Sequence, residues 1–274
     1  MSLTKDFNSA IASKNYTHHP TELQCLDALI TALQNGNYPF VKASKAHGSI
    51  VQLKTNNTQL RREICDLFLI LKFKDYYRFT FIQNKQRIRK KYCGLGDFQI
   101  NAGQHYFLTK RPAFQYKGKT YNLLTQCTYD TVTAYSVFYF NKAGQYDFDF
   151  ASAQYCKCCS NNAFTYCNFS KGCLCHHKYN VTKQVNRNPK VEYISILDAN
   201  EIERYPHFGE VICKGDARML ELVSLVKDCG GQEFLSFLDM DSSISEYNFQ
   251  ELDSTIYELT IRNIVAVDCS KYQL

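Results

Sequence analysis

The sequence predicts an α+β fold: N-terminal helices, a central antiparallel sheet with basic hairpins, a zinc-binding Cys-rich loop and a C-terminal α/β lobe. Three observations lead there. Leu23, Leu26, Ile30 and Leu33 recur at helical spacing near the N-terminus. Between residues 76 and 150, aromatic residues alternate with polar ones and are broken by turn signals, as strands require. Then "YCKCCSNNAFTYCNFSKGCLCHHK", Tyr155 to Lys178, holds six cysteines and two histidines.

In chain order, Thr21-Glu22-Leu23-Gln24 has the capping-box pattern and opens a helix over 22–35, which Gly36 ends. "SIVQLKT" (49–55) reads as a short strand. After Asn57-Thr58, the spacing of Leu60, Ile64, Leu67, Phe68 and Leu71 predicts a second helix. "YYRFTFIQNKQRIRKKY" (76–92) reads as a hairpin turning at Asn84-Lys85. Two more hairpins follow, 114–124 around Lys117-Gly118 and 134–150 turning between Asn141 and Gln145. After the cysteines, "QVNRNPK" (184–190) reads as a linker. The remainder alternates: strand 191–197, a short helix near 199–205, strand 209–214, a helix from Asp216 to about Cys229, a helix around 246–258 and strand 261–267. Three regions result: a basic helix-plus-sheet region (1–150), a Cys/His-rich insert (151–183) and an acidic α/β lobe (184–274).

Charge is unevenly spread. Residues 1–120 carry 19 Lys and Arg against 7 Asp and Glu, whereas residues 191–274 carry 6 against 16. Such a chain either offers a basic face to a polyanion and an acidic face to a basic partner, or turns its two halves on each other so that they partly cancel. No apolar run is long enough for a membrane span, and the N-terminus lacks the pattern of a signal peptide. A reducing, intracellular setting follows, cytoplasmic in the protein's own cell or a host's, with no membrane partner.

In that setting the cysteine cluster predicts zinc. A tetrahedral site takes four thiolate or imidazole ligands, often as two close pairs, because a tight turn can aim both side chains at one ion. Cys156 and Cys159 form one such pair and Cys173 and His176 another. Cys158, Cys167, Cys175 and His177 are substitutes, and eight ligands suffice for two ions. Few apolar groups lie between Cys156 and His177, so metal binding would supply much of this loop's folding energy.

The candidate partner is nucleic acid, DNA or RNA. Arg78, Lys85, Arg87, Arg89, Lys90, Lys91, Lys110, Arg111, Lys117 and Lys119 make a stripe that attracts phosphates through charge and counterion release. Interleaved tyrosines and phenylalanines stack on unpaired bases where exposed, but alternating aromatics in strands belong mostly to a core. The expectation is therefore binding without turnover. Two alternatives stand beside it. One is a protein-directed inhibitor or adaptor, of viral or mobile-element type, that binds a nucleic-acid enzyme through the acidic lobe. The other is a metal-dependent HNH-like nuclease using His177 with Asn186 or Asn188 and His207, although that spacing is poor. Weaker candidates are a cation at Asp147 and Asp149, and a Cys93 or Cys127 nucleophile with His105.

Overall fold

The computed structural model describes residues 3–45, 52–55, 58–61, 65–86, 98–117, 119–141, 143–158, 182–187, 196–197, 208–241, 257–258 and 261–272. Its centre is a mixed sheet. The strand order is β1 (Val41–Lys45), β15 (Ile261–Asp268), β4 (Cys65–Lys72), β5 (Tyr76–Gln86), β9 (Thr133–Phe140) and β10 (Tyr146–Ser152). A seventh strand, β13 (Glu210–Cys213), pairs antiparallel with the first half of β5, from Tyr76 to Phe79. β9 runs parallel to its second half, from Phe81 to Gln86. Parallel pairing also joins β15 to β4, so the sheet is not the antiparallel meander expected.

Helices cover both faces. On one face α1 (Leu3–Ser13) and α2 (Glu22–Asn35) pack Phe7, Leu26 and Ile30 against Leu67, Leu69, Ile82 and Phe138. On the other face α3 (Ala102–Lys110), α4 (Met219–Gly230) and α5 (Gln232–Leu238) cover Phe68, Ile70, Phe79 and Phe81. The capping box of α2 is present: Thr21 Oγ1 accepts from the Gln24 N–H at 3.4 Å and Gln24 Oε1 accepts from the Thr21 N–H at 2.7 Å. Gly231, at φ 71°, lets the chain leave α4 and enter α5 directly. At Gly209 a Cβ would lie 2.8 Å from Thr80 Oγ1 and 3.0 Å from the Phe79 carbonyl, so glycine permits β13 to approach β5.

The second predicted helix is absent. Its residues form β3 (Thr58–Arg61), paired with β2 (Gln52–Thr55), and then β4. Every residue of β4 is buried. A strand covered on both faces reads as a continuous apolar run, and "CDLFLIL" matches a helical stripe equally well. The Asn84-Lys85 turn is absent too, because β5 continues to Gln86. β12 (Thr182–Arg187) occupies most of the predicted linker. The hairpin β7 (Phe114–Tyr116) to β8 (Lys119–Tyr121), the hairpin β9–β10, and strands β13 and β15 all stand where the sequence placed them. Ile196 and Leu197, the end of the predicted strand 191–197, lie in a turn. The rest of that strand and the helix near 199–205 fall outside the described residues, as does the predicted helix over 246–256. Tyr257–Glu258 is the short strand β14, paired with β7. Sequence reading missed α1, α3 and α5.

The basic front and the acidic C-terminal third meet inside one fold. β15, from the acidic third, lies between β1 and β4. Lys42 pairs with Glu233 at 2.8 Å, Lys119 with Asp228 at 2.9 Å, and Lys72 with both Asp239 and Asp268. The two halves therefore cancel part of each other's charge. Among the described residues no helix is long and apolar enough to cross a membrane.

Candidate functional site

Several members of the predicted basic stripe are not on the surface. Arg78 is buried, with its guanidinium 5.3 Å from the Phe73 ring centre. Lys85 is buried and pairs with Glu22 at 3.2 Å. Arg111 donates to the carbonyls of Cys127 and Asp130 and holds that loop against α3. Lys119 bonds Ser224 and Asp228 on α4, and Lys117 donates to the Asp228 carbonyl. Arg78, Arg111 and Lys119 brace the fold, and Arg78, Lys85 and Arg111 do not form an exposed surface stripe. Lys110 and Lys117 are exposed. Arg87, Arg89, Lys90 and Lys91 lie outside the described residues. The interleaved aromatics are core: Tyr77, Phe107, Phe114, Tyr116 and Tyr121 are all buried.

The Cys/His insert is closed by a hairpin. β11 (Cys156–Cys158) pairs antiparallel with β12, and β12 pairs with β6 (Phe98–Asn101) on its other edge. One row of this small sheet holds Phe98, Val185 and Cys158. Thus the last residue of β11 lies about 10 Å across the sheet from the first residue of β6. Cys156 is the one predicted ligand whose side chain is described. It is buried, and its thiol is turned into the core and donates to the Ser152 carbonyl at 3.4 Å. Cys159, Cys167, Cys173, Cys175, His176 and His177 lie outside the described residues, as does the side chain of Cys158. Among the described residues no three His, Cys, Asp or Glu side chains converge as a metal-ligand group.

The sequence reading missed a different cluster. After the apolar half of β5 come Gln83, Asn84 and Lys85, all buried. Asp66, one step beyond the Leu67–Ile82 pair, faces Gln83 from β4 and is 1% exposed. Its Oδ2 accepts from the Gln83 side-chain amide and, at 2.8 Å, from the Asn84 N–H. Its Oδ1 lies 3.9 Å from Arg262 Nε, and Asn263 Nδ2 donates to its carbonyl at 2.9 Å. Gln83 and Lys85 share a face of β5, because strand side chains alternate. Lys85 reaches Glu22 in the first turn of α2. Gln83 Oε1 and both polar atoms of the Asn84 side chain have no hydrogen-bond partner among the described residues. Burying a carboxylate and unpaired amide groups costs several kcal/mol. Local rules of polarity are broken at functional or strained sites, which makes this cluster a candidate. Their signal in the sequence, "FIQNKQ", is a polar triplet at the end of an apolar strand, but Asn-Lys imitates a turn there.

No protein-family model, curated protein or solved structure matches this chain. The site is therefore read from its own chemistry.

The remaining candidates that are described make structural contacts. The Cys127 thiol donates to the Leu123 carbonyl at 3.0 Å, and burial pushes its pKa up, the opposite of nucleophile activation. Asp147 and Asp149 sit on β10. Asp147 caps the Phe148 N–H, and burial raises its carboxyl above the usual range. Asp149 accepts from the Tyr139 hydroxyl at 3.2 Å. Asn186 lies in β12 opposite Lys157, while Cys93, Asn188 and His207 are outside the described residues.

His105 is 2% exposed, bonded through Nδ1 to the Tyr135 hydroxyl at 3.0 Å and stacked on that ring. Burial lowers its pKa to about 4, against about 6.5 in an unfolded chain. Between those values the unfolded chain binds the extra proton. Its stabilising contribution is present above about pH 6.5 and is lost as pH falls towards 4, on the order of 3 kcal/mol in all. Urea midpoints measured from pH 7 to pH 4 should fall less steeply in His105→Gln than in the parent. Equal slopes would refute the assignment.

Proposed function

We propose that this protein hydrolyses phosphodiester bonds in nucleic acid, using a divalent cation held at Asp66 and Gln83, with Lys85 at the scissile phosphate. The observation that carries the reading is the buried Asp66–Gln83 pair on adjacent strands, with the Lys85–Glu22 ion pair two residues further along β5. A carboxylate oxygen and an amide oxygen are hard donors suited to Mg²⁺ or Mn²⁺. Mg²⁺ takes one or two carboxylates and completes its shell with waters and substrate phosphate, so a full set of protein ligands is not required. When bound, the cation would polarise the phosphorus and acidify a coordinated water.

The chain's own groups divide the remaining work. Asp66 and Gln83 lie on adjacent strands and fix where the phosphate sits. The Lys85 ammonium donates to a non-bridging oxygen and offsets the charge that builds on it as the phosphorus becomes five-coordinate. Glu22 holds that ammonium in place. A water forms the new P–O bond, the P–O bond to the leaving oxygen breaks, and the water's displaced proton reaches the leaving alkoxide through a second water. Arg87, Arg89, Lys90 and Lys91 follow Gln86 directly and supply the phosphate-attracting charge.

The Cys/His insert belongs to the same reading as a zinc-stabilised binding element. Its ligands are drawn from Cys156, Cys158, Cys159, Cys167, Cys173, Cys175, His176 and His177. What supports this is the small sheet, in which β12 lies between β11, where the insert starts, and β6, the strand that follows segment 87–97 in sequence.

The test is incubation of the full chain with end-labelled single- and double-stranded oligonucleotides, with Mg²⁺ or Mn²⁺ and with chelator. Product is expected only with the cation and not from Asp66→Asn, and elemental analysis should show about one or two zinc ions per chain. Oligonucleotide binding without product under either cation would sink the hydrolytic reading and return the protein to a binder.

A further inference from the structure

The geometry points to a base-stacking platform beside the candidate hydrolytic centre, built from Phe140, Tyr146 and His19 over an open cleft, that takes an unpaired base of the bound strand. The inference rests on the proposed function for its ligand class.

Phe140, the last residue of β9, is 45% exposed, and Leu23 is 42% exposed; these are the large apolar side chains that the described surface leaves in solvent. Phe140 does not stand alone. Its ring centre lies 5.1 Å from that of Tyr146 at 68°, and 6.5 Å from that of His19 at 57°. His19 Nδ1 lies 2.8 Å from the Tyr146 hydroxyl, which ties the α1–α2 connection to the start of β10. Beside these rings is a cleft of about 680 Å³, lined by Ile11, Tyr16, His18, His19, Pro20 and Tyr146 among others. That volume lies within the range of small-molecule sites, about 300–1,000 Å³. The walls also carry Asn15 and Thr17, whose polar side chains suit the edge of a base.

Position selects the occupant. Pro20 forms part of the cleft, and its carbonyl accepts from Gln86 Nε2 at 3.0 Å. Gln86 follows Lys85 in β5, and Glu22, the partner of Lys85, is two residues beyond Pro20. A strand with a phosphate at Lys85 would thus place a neighbouring base over this cleft. Within a bound strand, an unpaired base offers the open π-face on which an exposed aromatic ring stacks. The lining side chains include no carboxylate that would repel the phosphate backbone.

The test uses a single-stranded oligonucleotide carrying 2-aminopurine, and its duplex, with the full chain in chelator so that nothing is cleaved. The parent should quench the probe and bind the single strand. Phe140→Ala and His19→Ala, both at exposed positions, should weaken single-strand binding roughly 5- to 100-fold for the lost stacking and leave duplex binding nearly unchanged. Parent binding with unchanged single-strand affinity in both variants overturns the platform and leaves the hydrolytic reading untouched; it would assign the exposed Phe140 to a protein contact. Weakened single-strand binding in the variants, with no cation-dependent cleavage by the parent, upholds the platform and removes the hydrolytic reading. A parent that binds neither oligonucleotide overturns both.

Discussion

Lys85→Ala is expected to lower single-turnover cleavage by about 100-fold or more, the scale for removing one preorganised donor from a developing oxyanion. Binding of the same oligonucleotide in chelator should change far less, because Lys85 is buried and contributes little to the outer field. Its ion pair with Glu22 is partly shielded, with side-chain exposures of 9% and 31%. Losing it should cost about 1 kcal/mol of stability, as for a modestly screened pair. A catalytic role thus predicts a large rate defect with a small shift in melting temperature. Glu22→Gln keeps the shape at Lys85 but weakens its hold and should fall between the parent and Lys85→Ala. Lys85→Ala cleaving within threefold of the parent would remove Lys85 from the chemistry. A defect that merely tracks unfolding, seen by circular dichroism at the assay temperature, would assign it a structural role.

Arg218→Ala should be the most damaging single change to stability. Glu210 is 2% exposed; its Oε2 accepts from the N–H groups of Thr128 at 2.9 Å and Tyr129 at 3.0 Å. Its Oε1 meets Arg218 at 2.9 Å. The same guanidinium binds Asp216 and donates to the Val211 carbonyl at 3.1 Å. Arg218 thus links β13 to the turn into α4 and, through Glu210, to the loop before β9. Removing it leaves a buried carboxylate without its countercharge, which costs about 3–5 kcal/mol. In a domain of this size that is on the order of 10 °C in melting temperature. Asp216→Ala is the control. Asp216 is more exposed, and its carboxyl is already held low by Arg218, so about 1 kcal/mol is expected. Similar midpoints for the two variants would show that burial of Glu210 is not what makes the pair matter.

How far the sequence could be read depended on the range of the interactions involved. The α2 cap was legible because Thr21 and Gln24 meet within one turn. The 114–124 and 134–150 hairpins were legible because their turns sit between strands that pair locally. β4 was not, because a strand buried on both faces has no polar side to give it period two. The polar triplet Gln83-Asn84-Lys85 was misread for a related reason. Buried polar residues in a strand look like a turn until the partner that satisfies them, Asp66 on the next strand, is known. The basic stripe was legible as charge but not as surface, since the carboxylate facing Lys119 lies more than a hundred residues away.

By itself, then, the sequence determined the mixed α and β character, the local caps and hairpins, the charge asymmetry and the crowding of cysteine and histidine between Tyr155 and Lys178. These depend on composition or on neighbours a few residues apart. Only the tertiary structure decided that β15 enters between β1 and β4, that the basic and acidic ends neutralise each other in part, and that Asp66 meets Gln83 while Lys85 meets Glu22. Those outcomes depend on which strands pair across long separations. Burial of shared apolar faces sets that pairing, and a linear pattern does not encode the partner.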